Sequence, residues 1–179
     1  NIYTTIKIGN QTWMQQNLRV SVTPDSTSIT SYIYNNETEN AKTYGRLYTW
    51  NAAMNSSTVE KAQGVCPTGW HIPSDGEWKI LEMELGMTQA EADISNEWRG
   101  QGVGTRLGKG GESGYEALYS GMRISGGYYN MPFYEYVWTS TESGLNAWRR
   151  CLGKGMPTVG RYNTFPKTYG FSIRCIKDK

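Results

Sequence analysis

Cys66-Pro67-Thr68-Gly69-Trp70-His71-Ile72-Pro73-Ser74-Asp75-Gly76-Glu77-Trp78 decides how this chain is read, once it is set beside the ending Tyr169-Gly170-Phe171-Ser172-Ile173-Arg174-Cys175. Each half puts a cysteine beside strand-like apolar residues, and the halves stand more than a hundred positions apart. Cys66–Cys175 is the expected bridge, because Cys66 precedes the first helix and Cys175 lies in the last strand, so it ties the entry of the fold to its exit; closing about 110 residues, it would contribute about 4–5 kcal/mol in the chain-entropy model. A Cys151–Cys175 bridge would close a much shorter loop, and three reduced thiols in a cytosolic protein are the other reading of the odd count. Cys66, His71, Cys151 and Cys175 lack the C-x-x-C or H-x-x-x-H spacing of a zinc site, so no metal is expected.

Composition sets the bounds around that stretch. A chain of 179 residues fits one domain, residues 1–179, with a sizeable core. Hydrophobic residues make up 37% and mean hydropathy is -0.61, so the 13% of aromatics must supply much of the buried area. The net charge of +2 comes from 18 basic and 16 acidic residues scattered along the chain, with no basic run to follow a phosphate backbone or an anionic membrane. Nucleic acid is therefore not an expected partner. No stretch approaches the roughly 18 consecutive apolar residues of a membrane-crossing helix, so no membrane-spanning segment is expected. A chain that starts at Asn1 reads as a processed product whose signal or lipoprotein leader has been removed.

Thr5-Ile6-Lys7-Ile8 and Gln11-Thr12-Trp13-Met14 alternate polar and apolar residues around Gly9-Asn10, which predicts a hairpin with Ile6, Ile8, Trp13 or Met14, and Leu18 toward the core. Residues 21–42 turn to Ser, Thr, Asn and Glu with little periodicity and predict a long surface excursion. The run from Tyr44 to Met54 predicts a short strand entering a short helix. Ser74 and Glu77 form an S-x-x-E capping box, Trp78, Leu81 and Leu85 continue an apolar stripe, and Gly86 supplies the stop. Thr88 with Glu91 repeats the box, and Ala92, Ile94 and Trp98 before Gly100 extend a second helix. Beyond Gly100, glycine, tyrosine and short apolar runs predict strands and loops rather than helices. The class is α+β, with helices early and sheet late.

Ile6 to Leu18, Tyr44 to Trp50, Cys66 to Trp78, Val137-Trp138-Thr139-Ser140-Thr141-Glu142 and the Gly170 to Cys175 ending resemble, in order, the Fibrobacter succinogenes major paralogous domain family, over about residues 5–178. The resemblance implies a C-type lectin-like fold of the kind shared with formylglycine-generating enzyme: two early helices packed on short twisted antiparallel sheets with long loops. It also implies exported proteins of Bacteroidetes and related bacteria, often lipoproteins. It implies no activity, because one fold hosts many functions. His71 to Trp78 is similar to the R-L-P-T-E-A-E-W stretch of the formylglycine-generating group and Gly170 to Cys175 to its G-F-R-C ending, but both stretches are scaffold. The oxidase chemistry of that group uses two closely spaced cysteines, and Cys151 has no second cysteine within 20 residues. The E-P-N, Q-P-D and W-N-D triplets of calcium-dependent sugar sites are absent as well.

Other chemistries find little support. The single histidine, His71, sits in a strand-like Trp-His-Ile setting and reads as structural. Glu77, Glu116, Glu135 and Glu142 do not fix the carboxylate spacing of a glycosidase. Gly100 to Gly104 and Gly108 to Gly111 fail the Walker pattern, since Lys109 is not followed by Ser or Thr. No catalytic residue and no cofactor is expected.

A binding module remains. Gly126 to Tyr136 crowds four tyrosines and Phe133 into a stretch too irregular to bury every ring, and the residues from Asn146 to Asn163 add flat and hydrogen-bonding groups. In relatives with this fold, that part of the chain carries the ligand face. Tyr, Trp, Arg and Asn are the residues of adaptable binding surfaces. The candidate ligand-binding residues are Tyr128, Tyr129, Tyr134, Tyr136, Asn146, Trp148, Arg149, Arg161, Tyr162 and Asn163. The expected partner is a glycan or a cell-surface protein, met on an extracellular or outer-membrane surface. The other reading packs the same aromatic face on a partner subunit of a cell-surface assembly. Trp13, Trp50, Trp70, Trp78 and Trp138 lie inside fold-defining motifs and are expected in the core.

Overall fold

The computed structural model describes residues 1–179. The chain opens with the hairpin β1 (Thr5–Ile8) and β2 (Gln11–Met14), with Ile6 opposite Trp13 and Gly9 at φ 55° in the turn. Ile8, Trp13, Met14 and Leu18 are buried and Ile6 is half-buried. Helix α1 (Thr38–Tyr44) and helix α2 (Trp50–Ala53) follow, then β3 (Trp70–His71). Next come α3 (Asp75–Glu84), α4 (Gln89–Asp93), β4 (Glu97–Arg99) and α5 (Val103–Leu107). The last part is strand-rich: β5 (Met122–Ile124), β6 (Gly127–Tyr129), β7 (Tyr134–Ser143), β8 (Asn146–Gly153), β9 (Val159–Tyr162) and β10 (Ile176–Lys177).

Three antiparallel sheets result, in the orders β1-β2-β10-β3, β4-β9-β8-β7 and β5-β6. The class is α+β. The first sheet joins the two ends of the chain, since β10 lies between β2 and β3 with Ile176 opposite both Trp13 and His71. The Cys66–Cys175 disulfide locks this junction, with Cα atoms 6.0 Å apart, and Cys151 is the free, buried thiol. That pairing removes the Cys151–Cys175, reduced-thiol and zinc alternatives together. No helix is long and apolar enough to cross a membrane.

Helix α3 forms as its sequence dictates. The Ser74 side chain accepts from the Glu77 backbone N–H, the Glu77 carboxylate accepts from the Ser74 N–H, and Trp78 and Leu81 are buried beneath. Helix α4 has the same reciprocal cap from Thr88 and Glu91 but is shorter than the expected helix. It stops before Ile94, Asn96 turns the chain with φ 61°, and Trp98 pairs with Gly160 as part of β4. The apolar spacing of Ala92, Ile94 and Trp98 is thus not a helical stripe; Ile94 is exposed.

Two further helices lie where strands or loops are expected. Helix α1 sits inside the polar excursion with no fully buried residue, which is why its sequence shows no apolar period. In α5, Gly104 packs against backbone: a Cβ there would lie 2.4 Å from the Thr158 carbonyl oxygen and 2.6 Å from that of Met156. The glycine that reads as loop is the condition for this close approach.

The long β7–β8 hairpin divides the core because side chains alternate across a strand. Tyr136, Trp138 and Cys151 face a cluster with Leu18, Tyr48, Trp50 and Phe171. Val137, Leu152 and Val159 face a second with Trp13, Trp78, Leu81 and Tyr115. Trp13, Trp50, Trp78 and Trp138 are at most 1% exposed, whereas Trp70 is half-buried. The buried indoles keep their polar edges satisfied where the fold allows: Trp50 Nε1 donates to the Thr139 carbonyl at 2.8 Å and Trp138 Nε1 to that of Tyr48 at 3.0 Å. Trp13, Trp78 and Tyr115 meet edge to face at centroid distances of 5.1 to 6.1 Å.

Candidate functional site

The two faces of the β4-β9-β8-β7 sheet differ in kind, and register assigns each residue to one of them. Arg161 stands opposite Arg150, and Val159 opposite Arg99 and Leu152, on the side covered by α3 and α5. Here Glu82 receives Arg99 at 2.5 Å and Arg150 at 2.7 Å, while Asp75 receives Arg150 at 2.7 Å and Arg161 at 2.8 Å. All five groups are buried. Burial pushes the Asp75 carboxyl upward, but the hydrogen bonds and charges of Arg161 and Arg150 outweigh it and hold it at about 2. The Arg161 guanidinium also lies 3.9 Å from the Trp148 ring centre. Two expected ligand-binding residues, Arg161 and Trp148, therefore belong to the helix-facing side, and Arg161 is spent on holding α3 to the sheet.

The opposite side is aromatic. Trp98, Gly160, Cys151 and Tyr136 line up across it, as do Tyr162, Arg149 and Trp138 in the neighbouring row. Phe165, Tyr169 and Phe171 come over from the chain after β9. Ring centres follow one another at 6.3 Å from Trp98 to Tyr134, 6.3 Å on to Tyr136, 5.3 Å to Phe171, 6.1 Å to Phe165 and 5.2 Å to Tyr169. Trp98, Tyr134, Tyr162, Phe165 and Tyr169 are half-buried, so the run has an edge open to solvent. Gly160 makes room for it: a Cβ there would lie 2.8 Å from the Tyr162 ring. Gly160→Ala is expected to displace Tyr162 while leaving the sheet paired, visible as a change in near-ultraviolet circular dichroism without loss in the far ultraviolet.

Arg149 sits at the centre of these rings, 4.1 Å from the centre of Phe165, 4.9 Å from Tyr162, 5.2 Å from Tyr136 and 5.6 Å from Phe171. Burial pushes the neighbouring Cys151 thiol up to about 12, which keeps it protonated and a poor nucleophile.

Of the ten expected residues, Tyr134, Tyr136, Arg149 and Tyr162 meet on this face. Asn163 stands at its margin, donating its backbone N–H to Asn96 Oδ1 and its side-chain amide to Ser143. Asn146 begins β8 and bridges to Pro166. Tyr128 and Tyr129 lie apart on the β5–β6 hairpin, where Tyr128 packs on Tyr34 and donates to Asn36, and Tyr129 is exposed. The sequence does not single out Trp98, whose spacing reads as helical, or Phe165, Tyr169 and Phe171. Placing β8 as a strand was the signal that could have separated Arg149 from its neighbours Trp148 and Arg150.

A family model described as the Fibrobacter succinogenes major domain matches residues 6–177. The chain belongs to that family. No curated protein and no solved structure matches it. In this Fibrobacter succinogenes major domain the match runs from β1 to β10, so both faces of the four-stranded sheet and the disulfide lie inside the family's bounds.

A second polar cluster of the Fibrobacter succinogenes major domain surrounds His71, at a cleft of about 470 Å³ lined by Gln11, Lys61, Glu77 and Asp178. His71 Nδ1 lies 2.6 Å from Asp178 and Nε2 lies 3.1 Å from both Glu77 oxygens. With both ring nitrogens held by carboxylates, none is free to act as a base. Burial works against the imidazolium, but the Glu77 and Asp178 hydrogen bonds and charges outweigh it and raise the His71 pKa above 6.5. Burial is outweighed at Glu77 too, where His71, Ser74 and Lys61 hold the carboxyl at about 2, down from 4.5.

The signs fix a pH window. The stabilisation from His71 is complete below the unfolded value of 6.5 and is lost as pH rises through the higher folded value. That from Glu77 is complete above 4.5 and is lost as pH falls toward about 2. The clamp is therefore strongest between 4.5 and 6.5, and urea midpoints measured against pH should decline above 6.5 in the wild type more steeply than in His71→Gln. Parallel profiles would contradict this.

Proposed function

We propose that this domain is a non-catalytic recognition module with a C-type lectin-like fold, working outside the cytoplasm, that binds a glycan through the aromatic face of its four-stranded sheet. The observation that carries the reading is the run of rings from Trp98 to Tyr169, half-buried along one edge and gathered around Arg149. Flat rings with hydrogen-bonding groups at their margin suit stacking on sugar rings, and Tyr and Trp bring large contact area at low entropic cost. The buried Cys66–Cys175 bridge favours an oxidising compartment, hence an extracellular or outer-membrane surface. The non-catalytic reading is supported by the clamped His71 and the protonated Cys151.

The same face would serve a cell-surface protein, or a partner subunit in an assembly, through the same rings. A broad glycan array with the purified domain, run with and without a calcium chelator, separates these readings. Chelator-resistant binding to a defined set of glycans is the expected result. Binding to no glycan would overturn the glycan reading and move the face to protein contact, where solution mass would then distinguish a self-associating domain from a monomer that needs another partner.

A further inference from the structure

Five arginines are buried: Arg99, Arg149, Arg150, Arg161 and Arg174. Four of them hold a carboxylate. Arg99 pairs with Glu82 at 2.5 Å, Arg150 with Glu82 and Asp75 at 2.7 Å, Arg161 with Asp75 at 2.8 Å and Arg174 with Glu135 at 3.4 Å. Arg149, 4% exposed, pairs with none, and its Nε and Nη1 are closed off without any hydrogen-bond partner. Nη2 is the one guanidinium nitrogen not sealed in this way.

The groups around Arg149 do not supply the missing anion. Burial pushes the Cys151 thiol and the Tyr136 hydroxyl each up to about 12, and raises Tyr162 as well, so all three are neutral at physiological pH. The rings offer cation–π attraction, worth about 0.5–2 kcal/mol at a contact. They cannot accept the N–H hydrogen bonds that a buried cation requires. A fold that matches every other buried guanidinium with a carboxylate leaves this one for an anion from outside, beside rings that are themselves open to solvent.

We propose that the aromatic face takes an acidic sugar, a hexuronate whose carboxylate meets the Arg149 guanidinium while its ring lies on Tyr162 and Phe165. The inference rests on the reading of this face as a glycan-binding surface and names the class of glycan. Nη2 is the nitrogen open to such a group, and a carboxylate oxygen there forms a charge-assisted hydrogen bond, about twice as strong as a neutral one. In a hexuronate that charge stands on the same ring as an apolar face. The guanidinium lies over the two aromatic rings, 4.1 Å from the centre of Phe165 and 4.9 Å from that of Tyr162, so a sugar packed against their solvent-open edge has the cation as its neighbour.

The test compares oligosaccharides of galacturonate, mannuronate and glucuronate with their methyl esters by titration calorimetry. The esters keep the ring and lose the charge. At least one acid should bind ten times or more tighter than its ester, Arg149→Met should bring acid and ester to the same affinity, and Tyr162→Ala should weaken both. The acid–ester comparison in the wild type needs no variant, so a misfolded Arg149→Met cannot hide the answer. Equal binding of acid and ester, lost in Tyr162→Ala, would overturn the hexuronate inference and leave the glycan-binding face standing. Binding of none of the six would also overturn it, and the array would then decide whether the face binds any glycan.

Discussion

Replacing Glu82 by alanine will lower the melting temperature by about 10–15 °C, the largest effect expected of any single change here. Glu82 is fully buried on α3 and holds both Arg99 and Arg150, so its removal leaves two guanidinium groups on the sheet face beneath α3, Arg99 with no carboxylate and Arg150 with Asp75 alone. Breaking a buried ion pair from one side costs about 3–5 kcal/mol, since the remaining charge keeps its desolvation penalty without its partner. In a domain of this size each kcal/mol moves the melting temperature by roughly 2–4 °C. Arg99 already feels the strain of its position, because burial lowers its pKa to about 10 despite Glu82. Glu39→Ala is the control: its partner Lys42 is exposed, and such pairs are worth about 0–1 kcal/mol. Thermal melts of both variants by circular dichroism check this. A Glu82→Ala shift no larger than that of Glu39→Ala would show that the arginines find other partners or water.

The Cys66→Ala/Cys175→Ala pair is the second large expectation. The bridge spans 109 residues and closes the junction between β3 and β10, and its loss removes a constraint on the unfolded chain worth about 4–5 kcal/mol in the entropic account. Both sulfurs belong to residues with no exposed surface. Reductant should therefore act on the folded domain only through unfolding, and the lost stability should show as a lower urea midpoint in the double variant. A loss under about 1 kcal/mol would mean that the β1-β2-β10-β3 sheet holds the ends of the chain without help from the bridge.

Much of this fold was legible before any coordinate. The Ser74–Glu77 and Thr88–Glu91 boxes located two helix starts, the β1–β2 hairpin and four of the five core tryptophans followed from local residue chemistry, and the Cys66–Cys175 pairing followed from the places of its cysteines at the entry and exit of the fold. What escaped was set by partners distant in sequence. Trp98 continues a helical spacing on paper but becomes strand because β9 is there to pair with it. Gly104 reads as loop until the Thr158 carbonyl is placed against it.

The candidate face was legible in composition but not in membership. Arg149 and Arg150 are neighbours in sequence and point to opposite sides of β8, one into rings and the other into Asp75 and Glu82. Without the strand's register, nothing in the residue types tells the unpaired arginine from the paired one. The same holds for Trp148, adjacent to Arg149 and stacked with Arg161 on the far side.

The most direct test of the account uses that difference: glycan binding by wild type, Tyr162→Ala and Trp148→Ala, measured side by side after thermal melts confirm that each is folded. Tyr162 lies on the proposed recognition face and Trp148 on the helix-facing side. A loss of tenfold or more in Tyr162→Ala, with Trp148→Ala close to wild type, is the result expected. Binding that survives in Tyr162→Ala but fails in Trp148→Ala would contradict the assignment of the face.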